Sequence, residues 1–343
     1  MQLDDFDYIL PDGLIASAPL AEREASRLLH VDRAAGSTND RHFTDLPKLL
    51  REGDILVLNN TRVFPARLHG RSETGAGVEL LLEEEVERNV WRALAKPAKR
   101  LKAGKRIKLS DELVCEVVDR QEDGSIRIRF ETDSDVWDRL ESVGEVPLPH
   151  YIKRNIDDPV DDRDRYQTVF AKSRGAIAAP TAGLHFTEAV LDYLRSLGIQ
   201  TVELTLHVGY GTFEPVRVDD LSEHRVLPER FEISDGAAVA LNNARSEKRR
   251  IVAVGTTTTR ALESAIDEDG KFKPQMTRTS LTVLPGYTFR AVDALLTNFH
   301  LPKSSLLILA STFGGHRLIM EAYRHAVRRK YRFYSYGDCM FIE

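Results

Sequence analysis

The texture of the sequence changes abruptly between residues 63 and 145, and this change limits the possible folds more than any other feature. Within this stretch, short β-type runs such as VELLLEEEV, VWRALA and SIRIRF are separated by the turn signals ETGAG, KAGK and EDGS. On either side, helix-type segments alternate with apolar strand-type runs such as DILVLNN and IVAVG. Alternating helices and strands are typical of an α/β domain built around a sheet. The sequence therefore predicts an α/β domain that an all-β module interrupts.

The predicted architecture has two domains, which agrees with a chain of 343 residues at about 150 residues per domain. An α/β main domain with a mixed sheet is predicted over residues 1–62 and 149–343, and its second part carries most of the predicted site. An inserted all-β, barrel-like domain is predicted over residues 63–148. The Pro-rich stretch VGEVPLPHYIKR, residues 143–154, marks its exit.

The amino-terminal residues and the two cysteines bear on where such a chain works. The segment MQLDDFDYILPDGLI is acidic where a signal peptide would be basic, and no run approaches the roughly 18 apolar residues of a membrane span. Cys115 and Cys339 have neither a disulfide-type nor a zinc-type spacing. We therefore expect a cytoplasmic protein without a membrane anchor or a metal, acting as a monomer.

Several common catalytic fingerprints are missing from the sequence. It contains no GxxxxGK[ST], HExxH, GxSxG or GxGxxG motif. Gly209 and Gly211 begin a GxG, but Glu214 stands where the third glycine of a dinucleotide-binding loop would fall. These absences argue against a kinase-like enzyme and against a dehydrogenase.

A histidine beside a double-glycine turn is the first candidate for catalysis. In the predicted strand TVELTLHV, residues 201–208, the alternation of side chains places His207 on the face opposite the apolar one. The turn GYGT follows directly, and its glycines let the backbone approach a ligand closely. In α/β proteins, sites lie where strands end in loops. The alternative is a hydrogen-bonded surface histidine followed by a structural turn.

Two predicted helix starts offer places for an anion. The segment TAGLH precedes a helix that Thr187 can cap, so His185 lies near free backbone N–H groups and a positive dipole end. The second start runs from Gly255 to Thr259 and is followed by Arg260, where amides and hydroxyls would suit a carboxylate or a phosphate. Ordinary helix capping is the alternative for both segments.

Polar side chains also follow two strand-type runs, DILVL and DALLT. The residues in these positions are Asn59, Asn60, Thr61, Arg62, Asn298, His300 and Lys303. Polar density at the end of a strand points to binding, and a solvated loop is the alternative.

Two basic patches stand out against the net charge of −5, which argues against nucleic-acid binding over the whole surface. Residues 96–108 carry seven Lys or Arg, and residues 324–336 mix cations with aromatic side chains that could stack on bases. The alternative for the second patch is a solvated helix leading into a strand. The predicted tRNA-contact residues are Lys99, Arg100, Lys102, Arg328, Arg329 and Tyr336.

Seven segments, taken in order, closely resemble the S-adenosylmethionine:tRNA ribosyltransferase-isomerases of queuosine biosynthesis. They are NNTRVFPAR, YQTVFA, APTAGLHFTEAVLDYL, TLHVGYGTFEPVR, VGTTTTRALES, LPGYTFRAVDALLTNFHLPKS and YRFYSYGD, and they span nearly the whole chain. The resemblance implies transfer of the ribosyl part of S-adenosylmethionine to 7-aminomethyl-7-deazaguanine at the wobble position of tRNA. Epoxyqueuosine would form, with release of adenine and methionine. The resemblance implies no metal and no further cofactor, and it implies a β-barrel-like domain inserted into an α/β domain.

The implied chemistry assigns roles to the candidates. A sulfonium acidifies neighbouring C–H bonds, so a positioned base could start the reaction, and His207 and His185 are the candidates. The carboxylate of S-adenosylmethionine could bind the turn before Arg260. The predicted substrate-binding residues are Asn60, Arg62, Thr181, Gly183, Gly209, Tyr210, Gly211, Thr212, Gly255, Thr256, Thr257, Arg260, Asn298, His300 and Lys303.

The segment EHRVLPERF, residues 223–231, departs from the family pattern, because Leu227 and Pro228 replace a His-Ser pair. The role of this loop is therefore left open. Two other functions compete with the prediction: a tRNA-binding protein without catalysis, and an enzyme that acts on free nucleosides. Release of adenine separates the first from the enzyme, and the salt dependence of activity separates the second.

Overall fold

The computed structural model describes residues 1–149, 151–152, 162–213 and 215–343. Within them the strands are β1 (Arg27–Asp32), β2 (Ser37–His42), β3 (Ile55–Asn59), β4 (Thr61–Val63), β5 (Arg67–Ser72), β6 (Gly77–Glu87), β7 (Val90–Lys96), β8 (Arg106–Lys108), β9 (Val114–Arg120), β10 (Ile126–Glu131), β11 (Ser173–Ala176), β12 (Gln200–Leu206), β13 (Glu229–Ile233), β14 (Ile251–Val254), β15 (Gln275–Thr279), β16 (Ala294–Asn298) and β17 (Cys339–Ile342). The α-helices are α1 (Leu46–Leu49), α2 (Val136–Val143), α3 (Asp162–Arg165), α4 (Glu188–Ser196), α5 (Asp235–Ser246), α6 (Thr256–Ala265), α7 (Ser305–Gly314) and α8 (His316–Arg328).

The chain forms two compact units. The first comprises Met1–Thr61, His150–Ser173 and Ala179–Glu343, and the second comprises Arg62–Pro149 and Arg174–Ala178. The domain boundaries after residues 62 and 148 remain predictions of where independently folding domains begin and end.

A nine-stranded mixed sheet organises the first unit, in the order β15-β13-β12-β3-β14-β16-β17-β1-β2. Its centre is parallel, because β12 and β14 both run parallel to β3, and β16 runs parallel to β14. Outer pairs such as β12–β13 and β1–β2 are antiparallel. Every residue of β3, β14 and β16 is buried, as a strand covered on both faces requires. Because these central strands are parallel, their carboxyl ends lie at the same edge of the sheet.

Local sequence signals determine where helix α4 begins and ends. The Thr187 side chain accepts a hydrogen bond from the Val190 backbone N–H at 3.2 Å, a cap of the kind worth about 1 kcal/mol. Leu191 and Leu194 lie on the buried face and join the core beneath the sheet. The helix ends before Gly198, whose φ of +78° only glycine adopts without strain.

The second unit contains a closed antiparallel barrel in the order β10-β7-β6-β5-β8-β9. Strand β6, predicted as a β-type run, has Val78, Leu80 and Leu82 buried and the residues between them partly exposed. Trp91 is fully buried in this unit and packs against Trp137 with ring centroids 4.9 Å apart. The predicted fold class, an α/β domain with a mixed sheet and an inserted all-β barrel, is confirmed.

The predicted helix start at Gly255 to Thr259 forms the first turn of helix α6, in which the Thr258 and Thr259 hydroxyls donate to the carbonyls of Val254 and Gly255. The predicted strand 201–208 is shorter than expected. Strand β12 ends at Leu206, so His207 lies just beyond it. None of the described helices combines the length and the apolar character needed to cross a membrane.

Candidate active site

The carboxyl ends of the parallel strands bring the predicted residues together at one edge of the sheet. Strand β3 ends at Asn59, β12 ends just before His207, β14 leads into Gly255 and β16 ends at Asn298. Ligands of open α/β sheets bind at this edge. Four segments that are distant in sequence therefore meet where the fold places sites.

Asn59 joins three of these segments. Its side-chain amide donates to the Leu206 carbonyl at 2.9 Å and to Thr257 Oγ1 at 3.3 Å, and its oxygen accepts from the Leu206 N–H at 2.9 Å. The side chain is 1% exposed, so these bonds replace water completely. Asn59 thus fixes the end of β12, and with it the position of His207.

His207 is half-buried at this edge. Its Nδ1 lies 2.8 Å from Thr61 Oγ1, and its backbone N–H donates to the Arg230 carbonyl at 2.9 Å. The Thr61 hydroxyl also reaches the Ser173 carbonyl at 3.4 Å. The Thr61 hydroxyl therefore holds the His207 ring in one orientation through Nδ1.

The side chain of Asn60, which was predicted to bind substrate, is hydrogen-bonded to other side chains of the protein. Its amide donates to Glu203 Oε2 at 3.1 Å, and its oxygen accepts from Thr205 Oγ1 at 2.7 Å. Lys172 donates to the same Glu203 carboxylate at 2.7 Å. Asn60 orients the polar face of β12, and its substrate contact stays a prediction.

The structure differs from the sequence prediction most clearly at Arg260, the expected carboxylate receptor. Arg260 is buried in α6, and its Nη1 forms an ion pair with Glu229 Oε2. The other Glu229 oxygen accepts the Gly209 N–H at 2.9 Å, and Arg260 Nε donates to the Leu281 carbonyl at 3.0 Å. Because Glu229 already neutralises the guanidinium, the pair offers no net charge to a carboxylate.

Glu229 was missed by the sequence prediction, although a signal for it exists. In β13 the buried positions are Glu229, Phe231 and Ile233, so the carboxylate occupies an inward position of an alternating strand. A buried acid needs a buried cation or several donors. The alternation could therefore have predicted a partner such as Arg260.

The turn at Gly255 is built as predicted for an anion site, but its hydroxyls are largely used. Gly255 has a φ of +95° and precedes the first turn of α6. Thr258 and Thr259 donate to backbone carbonyls, and Thr257 accepts from Asn59. Thr256 and Thr257 are both buried. The binding roles of Gly255, Thr256 and Thr257 stay predictions.

His185 lies in the 3-10 turn Thr181–His185 and is 4% exposed. Its Nδ1 lies 2.8 Å from Ser26 Oγ, and its ring centroid lies 5.4 Å from that of Phe43. Burial lowers the pKa of His185 to about 4, and the nearby Asn298 side chain opposes this only in part. His185 is therefore neutral at pH 7, since burial disfavours its charged form.

Gly183 explains why this turn is tight. A Cβ at this position would lie 2.7 Å from the side chains of Phe170 and Thr168, closer than real contacts allow. The predicted substrate-binding roles of Thr181 and Gly183 stay predictions, and the structure gives Gly183 a packing role.

A second cleft beside His185 is cationic. Arg23, Arg165, Ser26 and Glu22 line it together with His185. Arg23 donates to the Leu184 carbonyl at 3.2 Å and Arg165 donates to the Leu20 carbonyl at 2.6 Å. Burial lowers the pKa of Arg23, and the charge of Arg165 lowers it further. Arg23 and Arg165 are the cations that an anion would meet in this cleft, while Glu22 also lines it and Asp164 partly offsets the charge of Arg23.

Three further candidates are either buried or held in ion pairs. Asn298 is 2% exposed and donates to the Tyr334 carbonyl at 3.0 Å. His300 is 5% exposed, its Nε2 lies 2.8 Å from Thr297 Oγ1, and burial lowers its pKa to about 3. Lys303 forms ion pairs with Asp4 at 2.7 Å and Asp7 at 3.1 Å. These contacts favour structural roles, and substrate binding by these residues stays a prediction.

The tRNA-contact candidates divide by exposure. Lys99 and Lys102 are exposed in the second unit, and Arg328 and Arg329 are exposed at the end of α8. Tyr336 differs from the expectation of a stacking platform, because it is 5% exposed and its hydroxyl donates to Asp162 at 2.7 Å.

The remaining candidates differ in their degree of exposure. Arg62 is exposed in β4, while Gly209, Tyr210 and Gly211 are partly exposed directly after His207. The Arg100 and Thr212 side chains lie outside the described part of the chain. Within the described part, no group of three or more His, Cys, Asp and Glu side chains is arranged to hold a metal ion.

Comparison with known proteins agrees with this architecture, an α/β fold with an inserted barrel. The model of a family described as queuosine biosynthesis protein matches residues 3–342. The chain therefore belongs to the queuosine biosynthesis protein family.

The similar proteins carry one activity name. S-adenosylmethionine:tRNA ribosyltransferase-isomerases from Geotalea uraniireducens and Syntrophotalea carbinolica are 49% and 47% identical, each over the full length of both chains. A crystal structure of an S-adenosylmethionine tRNA ribosyltransferase from Thermotoga maritima aligns with a TM-score of 0.57 at 34% identity, covering 99% of this chain and 100% of that one. The predicted family and the predicted enzyme class are confirmed.

Proposed function

We propose that this chain transfers the ribosyl part of S-adenosylmethionine to 7-aminomethyl-7-deazaguanine at the wobble position of tRNA and isomerises it to epoxyqueuosine. Adenine and methionine are the released products. The names of the similar proteins support the substrates, tRNA and S-adenosylmethionine. The observation that carries the proposal is the half-buried His207, oriented by Thr61 at the carboxyl edge of the sheet.

His207 is the proposed base. The positive sulfur of S-adenosylmethionine stabilises a carbanion on the adjacent ribose carbon, so removal of a proton there starts the reaction. A base for this step needs a ring that is held in a fixed orientation, and the contact between Nδ1 and Thr61 supplies it. Asn59 holds the backbone next to it through Leu206.

His185 receives a different role. With a pKa of about 4 it is a weak base, and its position against Ser26 and Arg23 suits a neutral hydrogen-bonding group beside a bound anion. The carboxylate of S-adenosylmethionine or a phosphate of tRNA has the required charge. His185 thus positions substrate in this proposal, while His207 moves the proton.

Adenine release tests the proposal directly. The full-length protein is incubated with S-adenosylmethionine and tRNA bearing 7-aminomethyl-7-deazaguanine, and free adenine is measured by chromatography. We expect adenine and methionine in equal amounts, and none with the same tRNA bearing guanine. Binding of the tRNA without release of adenine is the result that favours a binding protein instead.

Salt dependence separates a tRNA enzyme from one that acts on free nucleosides. Lys99 and Lys102 are exposed, and each phosphate contact they make releases counterions on binding. We expect the KM for tRNA to rise steeply with salt, and Lys99→Gln with Lys102→Gln to flatten that rise. Lys48→Gln, at another exposed lysine, is the control. Salt-independent activity on a free nucleoside would overturn the assignment.

A further inference from the structure

A narrow cleft opens beside the Arg260–Glu229 ion pair, and its walls are largely aliphatic. Its apolar lining residues are Val226, Leu227, Leu281, Val283, Leu306 and Leu309. The space between them, including the open mouth, is about 450 Å³. Binding sites for small molecules are typically lined by apolar side chains with a few placed polar groups.

The cleft lies next to the proposed base. Glu229, which lines it, accepts the backbone N–H of Gly209, two residues after His207. Gly211 also lines the cleft, and a Cβ there would lie 2.9 Å from Leu227. A ligand in this cleft therefore touches the same turn that carries His207.

The polar end of the cleft is electrically neutral but has one donor to spare. Arg260 and Glu229 are 7% and 5% exposed, and their charges cancel. Arg260 Nη2 is buried and has no hydrogen-bond partner among the described residues. A buried unsatisfied N–H costs about 1–3 kcal/mol, which a ligand acceptor would relieve.

These features select the chemistry of the occupant. A carboxylate would gain no net charge attraction from the pair, and the nearby Glu229 would repel it. A neutral, flat group with a lone-pair nitrogen suits both the aliphatic walls and the spare donor. Of the parts of S-adenosylmethionine, the adenine base has these properties and the charged methionine end does not.

We propose that this cleft binds the adenine base of S-adenosylmethionine, with Arg260 Nη2 donating to a ring nitrogen and the aliphatic side chains covering the two faces. The inference rests on the proposed function for the identity of the co-substrate. It assigns Arg260 to the adenine ring and leaves the carboxylate of S-adenosylmethionine to another part of the site.

Fluorescence of 2-aminopurine, an adenine isomer, tests the cleft in the unmodified full-length protein. We expect binding to change its emission, and adenine or S-adenosylmethionine to displace it, while methionine at the same concentration does not. Displacement by methionine but not by adenine overturns the inference, as does failure of 2-aminopurine and adenine to bind at millimolar concentration.

Two variants locate the binding site. Leu306→Trp fills the cleft from a partly exposed position, and Leu197→Trp, at an exposed leucine that does not line the cleft, is the matched control. We expect Leu306→Trp to weaken adenine binding at least tenfold and raise the KM for S-adenosylmethionine similarly, with the control unchanged. Arg260→Lys keeps a cation for Glu229 and should weaken adenine about fivefold to tenfold, the loss of one hydrogen bond.

Circular dichroism and thermal unfolding establish that each variant is folded, and the 2-aminopurine result on the unmodified protein stands independently of them. Unchanged adenine affinity in folded Leu306→Trp overturns the inference. The adenine-release assay on the unmodified protein is run in parallel. Adenine release together with an unaffected Leu306→Trp removes only the cleft assignment, whereas absence of release removes the proposed function.

Discussion

His207 and His185 make the same first contact and differ in almost everything else. Each places Nδ1 2.8 Å from a hydroxyl, Thr61 in one case and Ser26 in the other. His207 lies half-buried beyond a strand end, whereas His185 is 4% exposed in a tight turn whose burial lowers its pKa to about 4. Burial, rather than the hydrogen bond, therefore distinguishes the two histidines, and it keeps His185 neutral near pH 7.

The two histidines are held in place by different kinds of contact. His207 depends on polar ties, from Asn59 to the end of β12 and from Thr61 to the ring. His185 depends on packing, because Phe43 contacts its ring and Gly183 permits the close approach of Phe170. Polar ties leave a side chain accessible, while close packing holds it and excludes water.

The largest expected effect separates the histidines by rate. His207→Ala should lower kcat for adenine release by about 10²- to 10⁴-fold, the usual range for a lost general base, with the unfolding midpoint nearly unchanged. His185→Ala should affect the KM more than kcat. Initial rates at saturating S-adenosylmethionine and tRNA measure both.

The opposite pattern, with kcat lost in folded His185→Ala and retained in His207→Ala, would exchange the two roles. Near-normal turnover in both variants would show that neither histidine is the base.

The next effect separates them by pH. An unfolded histidine binds its proton near pH 6.5, whereas folded His185 does so only near pH 4, so the unfolded state holds more protons between these values. Stability should therefore fall as pH drops from 6.5 to 4, by about 3 kcal/mol from His185 over the whole window. Urea unfolding at several pH values measures this.

His185→Gln should flatten that pH dependence. Some dependence should remain in His185→Gln, because burial also lowers the pKa of His300, to about 3. An unchanged slope in His185→Gln would contradict the difference in solvation between the two histidines.

A smaller effect comes from the hydroxyl partners. Ser26→Ala leaves the buried Nδ1 of His185 without its partner and should lower the free energy of unfolding by about 1–3 kcal/mol. Thr61→Val should instead lower kcat and alter its pH profile, and Thr61→Ser should restore both. A loss in Thr61→Val that appears only in stability would reduce Thr61 to a structural residue.

The smallest effect tests the packing around His185 through the helix that follows its turn. Thr187→Ala removes the cap of α4 and should cost about 1 kcal/mol in chemical unfolding. Thr187→Ser retains the hydroxyl and serves as the control. Hydrogen exchange should increase in residues 181–196 and not around His207; equal increases in both places would contradict the separation of the two supports.

Sequence patterns predicted the fold well because their signals are local. The β-type run that forms β6 and the cap at Thr187 each act within a few residues. The threonine-rich segment was predicted to offer hydroxyls to an anion, but Thr258 and Thr259 donate theirs to helical carbonyls, and only the folded helix decides between these uses.

The site was predicted less completely because its contacts are distant in sequence. Arg260 pairs with Glu229, 31 residues away, and this partner changes it from a carboxylate receptor to a neutral pair. His300 and Tyr336 were read as binding residues from their polar neighbours, but the packing buries both. A polar residue after a strand serves equally well for binding and for satisfying buried neighbours, and composition does not distinguish these uses.

The sequence by itself determined the class of fold, the insertion of the barrel and the family, because periodicity and ordered segments are properties of the chain. The tertiary structure alone decided that His207 remains accessible and His185 does not, since burial depends on segments 159 residues apart, such as Ser26 against His185. Desolvation and ion pairing are set by what folding brings together, and they fix the charge with which each side chain can act.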